Sequence, residues 1–319
     1  MLPAPIRAGL QIPNFNLPGV EPAGLLDALT GIARTAETSG FDSVYVMDHL
    51  HQIRGVGPEE NWMLEGNTAL AALAARTQTA HLGLMVGAVT YRNPALAAKI
   101  TTTIDVLSGG RAIHSLGAAW FEGEHRAYGF DFPPLGERFE RLEDALNISR
   151  AMFTQERATY HGKHHSVEQA YNNPRPIRGD IPILVGGSGE RKTLRMVAQY
   201  ADASNVFGEP DHIRHLMDVL AKHCEDVGRD PAEITKTKLG TLVIADTHEA
   251  AEKKVAPLRD AMAERFDAVV LWGDRDEVGE QIVANLDAGL DGLIVNMPEV
   301  HDLEAVALAG EVLGAATRR

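Results

Sequence analysis

A single cysteine, Cys224, stands in 319 residues, so the chain cannot close an intramolecular disulfide or build a cysteine cage around a metal. Basic residues are also scarce: 30 Lys and Arg against 44 Asp and Glu leave a formal charge of −14. That balance opposes nucleic acid and anionic membrane as partners, because both are themselves negative. No run of about 18 apolar residues occurs, and the N-terminus "MLPAPIRAGLQIPNF" lacks a charged segment followed by a long apolar one. These absences point to a cytoplasmic protein that handles a small molecule.

What is present is apolar sequence in short pieces, within a chain that is 45% hydrophobic. The pieces that read as buried strands are "IRAGLQI" (6–12), "DSVYVM" (42–47), "HLGLMVGA" (81–88), "RAIHSLG" (111–117), "IPILVGG" (181–187), "ASNVFG" (203–208), "TKLGTLVIA" (237–245) and "GLIVNM" (292–297). Between them, apolar residues at helical spacing predict helices over 22–40, 94–108, 137–155, 190–201, 211–228 and 301–316. Gly40, Gly109-Gly110 and Gly228 supply stop signals. The alternation runs from 1 to 319 without a composition break, which predicts one α/β domain, and eight units predict a closed (β/α)8 TIM barrel. An open doubly wound sheet is the competitor, but "PNFNLPG" follows the first strand where a glycine-rich dinucleotide fingerprint would stand. Residues 158–180 fit neither repeat and read as an inserted loop or hairpin before the fifth strand, and insertions at the C-terminal face shape a barrel's mouth.

A barrel carries its working groups just after its strands, and polar residues cluster there: Asn14-Phe15, Asp48-His49, Thr90 to Asn93, Ala118 to Trp120, "GGSGER", Phe207-Gly208 and Asn296. In "VYVMDHLHQI" (44–53), Val44 and Val46 are expected inside the barrel, with Asp48 and His49 at its mouth as acid/base candidates. The other reading makes Asp48 a loop cap and His49 a satisfied rim histidine. In "ILVGGSGERKTLRM", a strand ends in Gly186, Gly187, Ser188 and Gly189 and a helix begins at once, a suitable cradle for a phosphate. A plain tight turn would use the same glycines, and the spacing of a P-loop is missing. The histidines of "HGKHH" (161–165) and the set Asp211, His212 and His215 match no trusted metal spacing and read as solvated surface. Ser188 lacks a nucleophile elbow.

Taken together, "SVYVMDHLHQI", "LGLMVGAVTYRNPALAAKITTTIDVLSGGR", "LGAAWFEGEHRAYGFDFPPLGERFERLEDAL" and "ILVGGSGERKTLRMVAQYADASNVFG" resemble the luciferase-like monooxygenase superfamily, and more narrowly its branch that uses the deazaflavin coenzyme F420 in place of FMN. The resemblance runs over roughly residues 6–298. It implies a barrel that is usually homodimeric, with the coenzyme ring across the C-terminal mouth. By resemblance, Asp48 and His49 match the pair beside the reactive ring, and Gly83, Leu84 and Met85 match a bulged strand with a non-prolyl cis peptide, placed at Leu84 to Met85 within one residue. The resemblance also implies that Gly186, Gly187, Ser188, Gly189 and Arg191 meet the coenzyme phosphate, with Gly117 and Ala118 approaching from the fourth strand. Sugar-phosphate dehydrogenases of this branch carry an acid where this chain has Trp120, so Glu122 or Glu124 replaces it only if the loop folds differently.

Phe15, Tyr91, Trp120, Phe121 and Trp272 are candidate pocket aromatics, which suggest an apolar organic substrate. The expected function is hydride transfer between F420 and that substrate. The alternatives are an FMN-dependent monooxygenase and a noncatalytic coenzyme-binding barrel.

Overall fold

The computed structural model describes residues 6–262 and 266–318. Its centre is a ring of eight parallel strands, which we number β1 (Ala8–Ile12), β2 (Ser43–Val46), β3 (His81–Leu84), β4 (Ala112–Gly117), β5 (Ile183–Gly186), β6 (Ala203–Val206), β7 (Thr235–Ile244) and β8 (Gly292–Asn296). Each pairs with the next in parallel register, and β8 pairs with β1, so the sheet closes. This is the (β/α)8 barrel expected from the sequence, and all eight strands lie on the stretches proposed for them. Helices such as Leu25–Ser39, Pro94–Ser108 and Leu135–Thr154 cover the outside, burying their apolar stripes against the strands.

The inside of the barrel differs from expectation in one respect. Val44 and Val46 face outward into the large layer between sheet and helices, and Tyr45 points into the barrel beside Ile113, Leu184 and Ile294. Neighbouring glycines decide this. A Cβ on Gly9 would lie 3.0 Å from the Tyr45 ring, and one on Gly83 would lie 3.1 Å from it, so only glycine on both flanking strands leaves room for the phenol. The Tyr45 hydroxyl is fully buried with no partner among the described residues. A stranded donor of this kind costs stability, so Tyr45→Phe should raise the stability by about 1 kcal/mol, read as a higher melting temperature with unchanged cooperativity.

Residues 158–180 do contain a hairpin, Ala158–His161 paired with Ser166–Ala170. It packs along the helix Leu135–Thr154 and not over the mouth. Asp144 of that helix accepts the backbone N–H groups of Lys163, His164 and His165 at the hairpin tip, and His164 pairs with Glu140 at 2.8 Å. Of the histidines of "HGKHH", His164 anchors the hairpin to the helix, and His161 is exposed and pairs with Glu168 within the hairpin. A further short strand, Val270–Gly273, extends β7 outside the closed ring; the sequence reading missed it. No described helix is long and apolar enough to cross a membrane, and among the described residues no group of His, Cys, Asp and Glu is arranged to hold a metal ion.

Candidate active site

Beyond Leu84 the third strand departs from regular pairing. Gly83 lies opposite Ile113 and Gly87 opposite Leu116, so four steps on one strand face three on its partner, which defines a bulge. The cis peptide sits in that bulge at Met85–Val86, one residue later than placed from the sequence. The Val86 side chain then wedges between Gly117 and Gly186, where added Cβ atoms would come within 2.9 and 2.8 Å of it. The two glycines therefore give up their Cβ atoms to Val86, whatever their distance from a phosphate. From below, Gln11 donates to the Met85 carbonyl at 3.2 Å, Asn296 donates to Gln11 at 3.3 Å, and Thr241 donates to Asn296 at 2.9 Å. This polar chain joins four strands beneath the bulge. Gln11 and Thr241 were not singled out from the sequence, because their alternation within apolar strands marks nothing.

Asp48 and His49 leave β2 together but do different things. Asp48 is buried, and both its oxygens are committed: Arg92 donates to each at 2.8 Å and the Ala88 N–H donates to Oδ2 at 2.9 Å. Arg92 also pairs with Glu65, the cap of the helix Gly66–Ala74. Asp48 thus ties the end of β2 to the bulge, and its three donors leave the carboxylate little accepting capacity for a ligand.

His49 is half-buried, and its Nδ1 lies 2.9 Å from Glu124 Oε2. Glu124 itself has a fully buried side chain, 0% exposed, and is ringed by donors: the backbone N–H groups of Leu50 and His51 and the hydroxyl of Tyr91, besides His49. Burial alone would raise its pKa, but these four donors hold it down to about 2, so Glu124 is a permanent anion. An anion at Nδ1 fixes the proton on that nitrogen and leaves Nε2, which has no partner among the described residues, for the mouth. Both oxygens of Glu124 are thus occupied by donors of this chain, and Glu122 is exposed and paired with Arg126 at 3.1 Å. Tyr91 spends its hydroxyl on Glu124 and its ring against His125 and Phe130.

The remaining aromatic candidates separate. Trp120 is 62% exposed, stacks on Phe121 at 5.2 Å with 18° between planes, and lies 5.5 Å from the His49 ring. Phe15 is 0% exposed and belongs to the core between sheet and helices. Trp272 sits on the outer strand Val270–Gly273 against His248 and Arg259, away from His49.

At the ends of β5 and β6, the cradle has the form a phosphate needs. Gly187 takes a φ of 130°, and a Cβ on Gly189 would meet Thr193 Oγ1 at 2.7 Å, so both positions favour glycine. The backbone N–H groups of residues 188–193 find no acceptor among the described residues, and the helix Thr193–Tyr200 begins directly behind them. Arg191 stands exposed on the same turn, the Lys192 ammonium lies 5.3 Å over the Phe139 ring, and Ser188 Oγ accepts from Phe207 N–H at 2.9 Å, closing the turn onto β6. Ala118 lies at the end of β4, its carbonyl held by Arg138.

Beside the cradle, the buried Lys238 donates to the Gly208 carbonyl at 2.7 Å, and burial lowers its pKa to about 8. An unfolded lysine keeps its proton to about pH 10.4, so between these values the unfolded state binds more protons and stability rises with pH. Urea unfolding at pH 7.5 and 9.5 should show a larger gain for the native chain than for Lys238→Met.

Comparison with known proteins places the chain. Residues 6–269 match the family described as luciferase-like monooxygenase. An F420-dependent glucose-6-phosphate dehydrogenase of Microbacterium testaceum (strain StLB037) is 34% identical over 303 residues, covering 84% of this chain and 86% of that one. Among solved structures, an F420-dependent secondary alcohol dehydrogenase superposes with a TM-score of 0.79 at 17% identity, covering 99% of this chain and 100% of that one. The oxygenating constituent of 3,6-diketocamphane monooxygenase from Pseudomonas putida, in complex with FMN, gives 0.75 at 18% identity, covering 98% and 99%. The family match covers most of the chain and the sequence relative agrees with it, so the chain belongs to the luciferase-like monooxygenase family.

Proposed function

We propose that this protein is an F420-dependent oxidoreductase that moves a hydride between the deazaflavin and a small organic substrate. The observation that carries this reading is His49: its Nδ1 is pinned to a permanent anion and its Nε2 is left free at the mouth. Hydride chemistry on a carbonyl or alcohol needs one group that gives or takes a proton at each turnover, and an imidazole oriented by a carboxylate is suited to that work. The sequence relative named above supports the same coenzyme.

The residues present fit that group. The free N–H groups of residues 188–193, with Arg191, would hold its phosphate, and the bulge at Met85–Val86 would back its ring. Bound there, a deazaflavin supplies a carbon that accepts or donates hydride. The chain does the rest: Asp48 and Arg92 fix the bulge, Glu124 fixes the His49 tautomer, and His49 Nε2 carries the proton to or from the substrate oxygen. We take the working unit to be a cytoplasmic homodimer, in line with the family resemblance.

The test is a side-by-side titration with F420 and FMN, followed by tryptophan quenching. Preferential binding of F420 is expected. Preference for FMN would move the reading to oxygen chemistry, and binding of neither would overturn it.

A further inference from the structure

We infer that the substrate of this site is an uncharged carbonyl compound, or the matching alcohol, with a flat apolar face that seats on Trp120; the inference deepens the F420 reading and rests on it. An indole 62% exposed at the mouth offers a flat apolar face on which a planar molecule can lie. This one is also held in place: its parallel stack on Phe121 orients the ring, and the His49 ring lies 5.5 Å away. A molecule lying on the indole therefore sits beside the imidazole that exchanges protons.

The charges around the mouth argue against an anionic substrate. Arg92 is shared between Asp48 and Glu65. Arg138 donates to the carbonyls of Pro133, Ala118 and Ala119, with its guanidinium 4.1 Å over the Phe132 ring. Neither cation is free to meet a substrate phosphate.

The other side of the mouth is an open cleft of about 1020 Å³ between the loop at Arg54–Val56 and the helix His248–Met262. Val56, Leu258, Met262 and Val269 make it apolar, and Thr241 and Asn296 provide hydrogen-bonding groups. Arg54 is the one cation lining it among the described residues. A dianionic phosphate ester would meet a single cation there and lose its hydration against the apolar lining, whereas a neutral ketone loses little.

The experiment is calorimetric titration of the F420-loaded protein with acetophenone and, separately, with glucose 6-phosphate. Acetophenone should bind, and glucose 6-phosphate should bind at least about tenfold more weakly. Trp120→Ala should weaken acetophenone binding roughly fivefold, with Trp120→Phe retaining most of it, as expected for loss of one aromatic contact. Thermal melting of both variants checks that they fold.

Tighter binding of the sugar phosphate, unchanged acetophenone affinity in Trp120→Ala, or no acetophenone binding to the native chain would each overturn the inference. A parallel titration with F420 alone separates the two readings. If F420 failed to bind while acetophenone still bound the coenzyme-free protein through Trp120, the coenzyme assignment would fall and the substrate class would stand.

Discussion

Replacing His49 with alanine should cut turnover by roughly 10²- to 10⁴-fold while leaving coenzyme affinity within about twofold, the range expected when a positioned acid/base is removed. The separation is expected because the phosphate cradle at residues 188–193 is built from β5 and β6, across the mouth from β2. The imidazole contributes through Nε2 alone, since Nδ1 is consumed by Glu124. Glu124→Gln then gives an intermediate result. It keeps one acceptor oxygen, enough for His49 and Tyr91 or for Leu50 and His51 but not for both sets, and removes the charge, so the rate should fall less than in His49→Ala. Steady-state kinetics and F420 titration on the same preparations separate the cases. An equal loss of rate and coenzyme affinity in His49→Ala would mean that the ring is structural.

Arg92→Met should destabilise the fold by roughly 3–5 kcal/mol, the cost of leaving a buried carboxylate without its cation. Asp48 is almost wholly inaccessible, and its two bonds from Arg92 are its only side-chain partners among the described residues. With the guanidinium gone, one backbone N–H, that of Ala88, would remain for a desolvated charge. Urea unfolding of the native chain and the variant measures the difference. The double variant Asp48→Asn with Arg92→Met should recover part of the loss, because a neutral amide carries a smaller desolvation cost. A loss below about 1 kcal/mol, typical of an exposed ion pair, would show that the pair is solvated and not an anchor.

The strands, the hairpin and the glycine cradle were legible in the sequence for a common reason. Each is specified by residues close together in the chain: an apolar run and its breakers, a segment too polar for either repeat, or glycines followed at once by a helix. Contacts over long distances were not. Glu124 stands 75 residues from His49, and in sequence it is one acid among several in "WFEGEHRAYGF". Phe15 and Trp120 both follow strands and look alike on paper, yet one is sealed in the core and the other stands in solvent. Trp272 lies on a strand outside the ring, which no local pattern announced.

By itself, then, the amino-acid order determined the barrel, its strand order and the place of the glycine turn, because alternating apolar runs and amphipathic helices have few ways to close around one core. Only the tertiary structure decided how two adjacent polar residues are partnered. Asp48 and His49 are neighbours in the chain, but Arg92 reaches one and Glu124 the other, so one carboxylate is neutralised in place and one imidazole is left with a free nitrogen. Partners brought from distant strands set the local field and the vacant lone pairs, and these decide whether a polar residue holds the fold or works at its mouth.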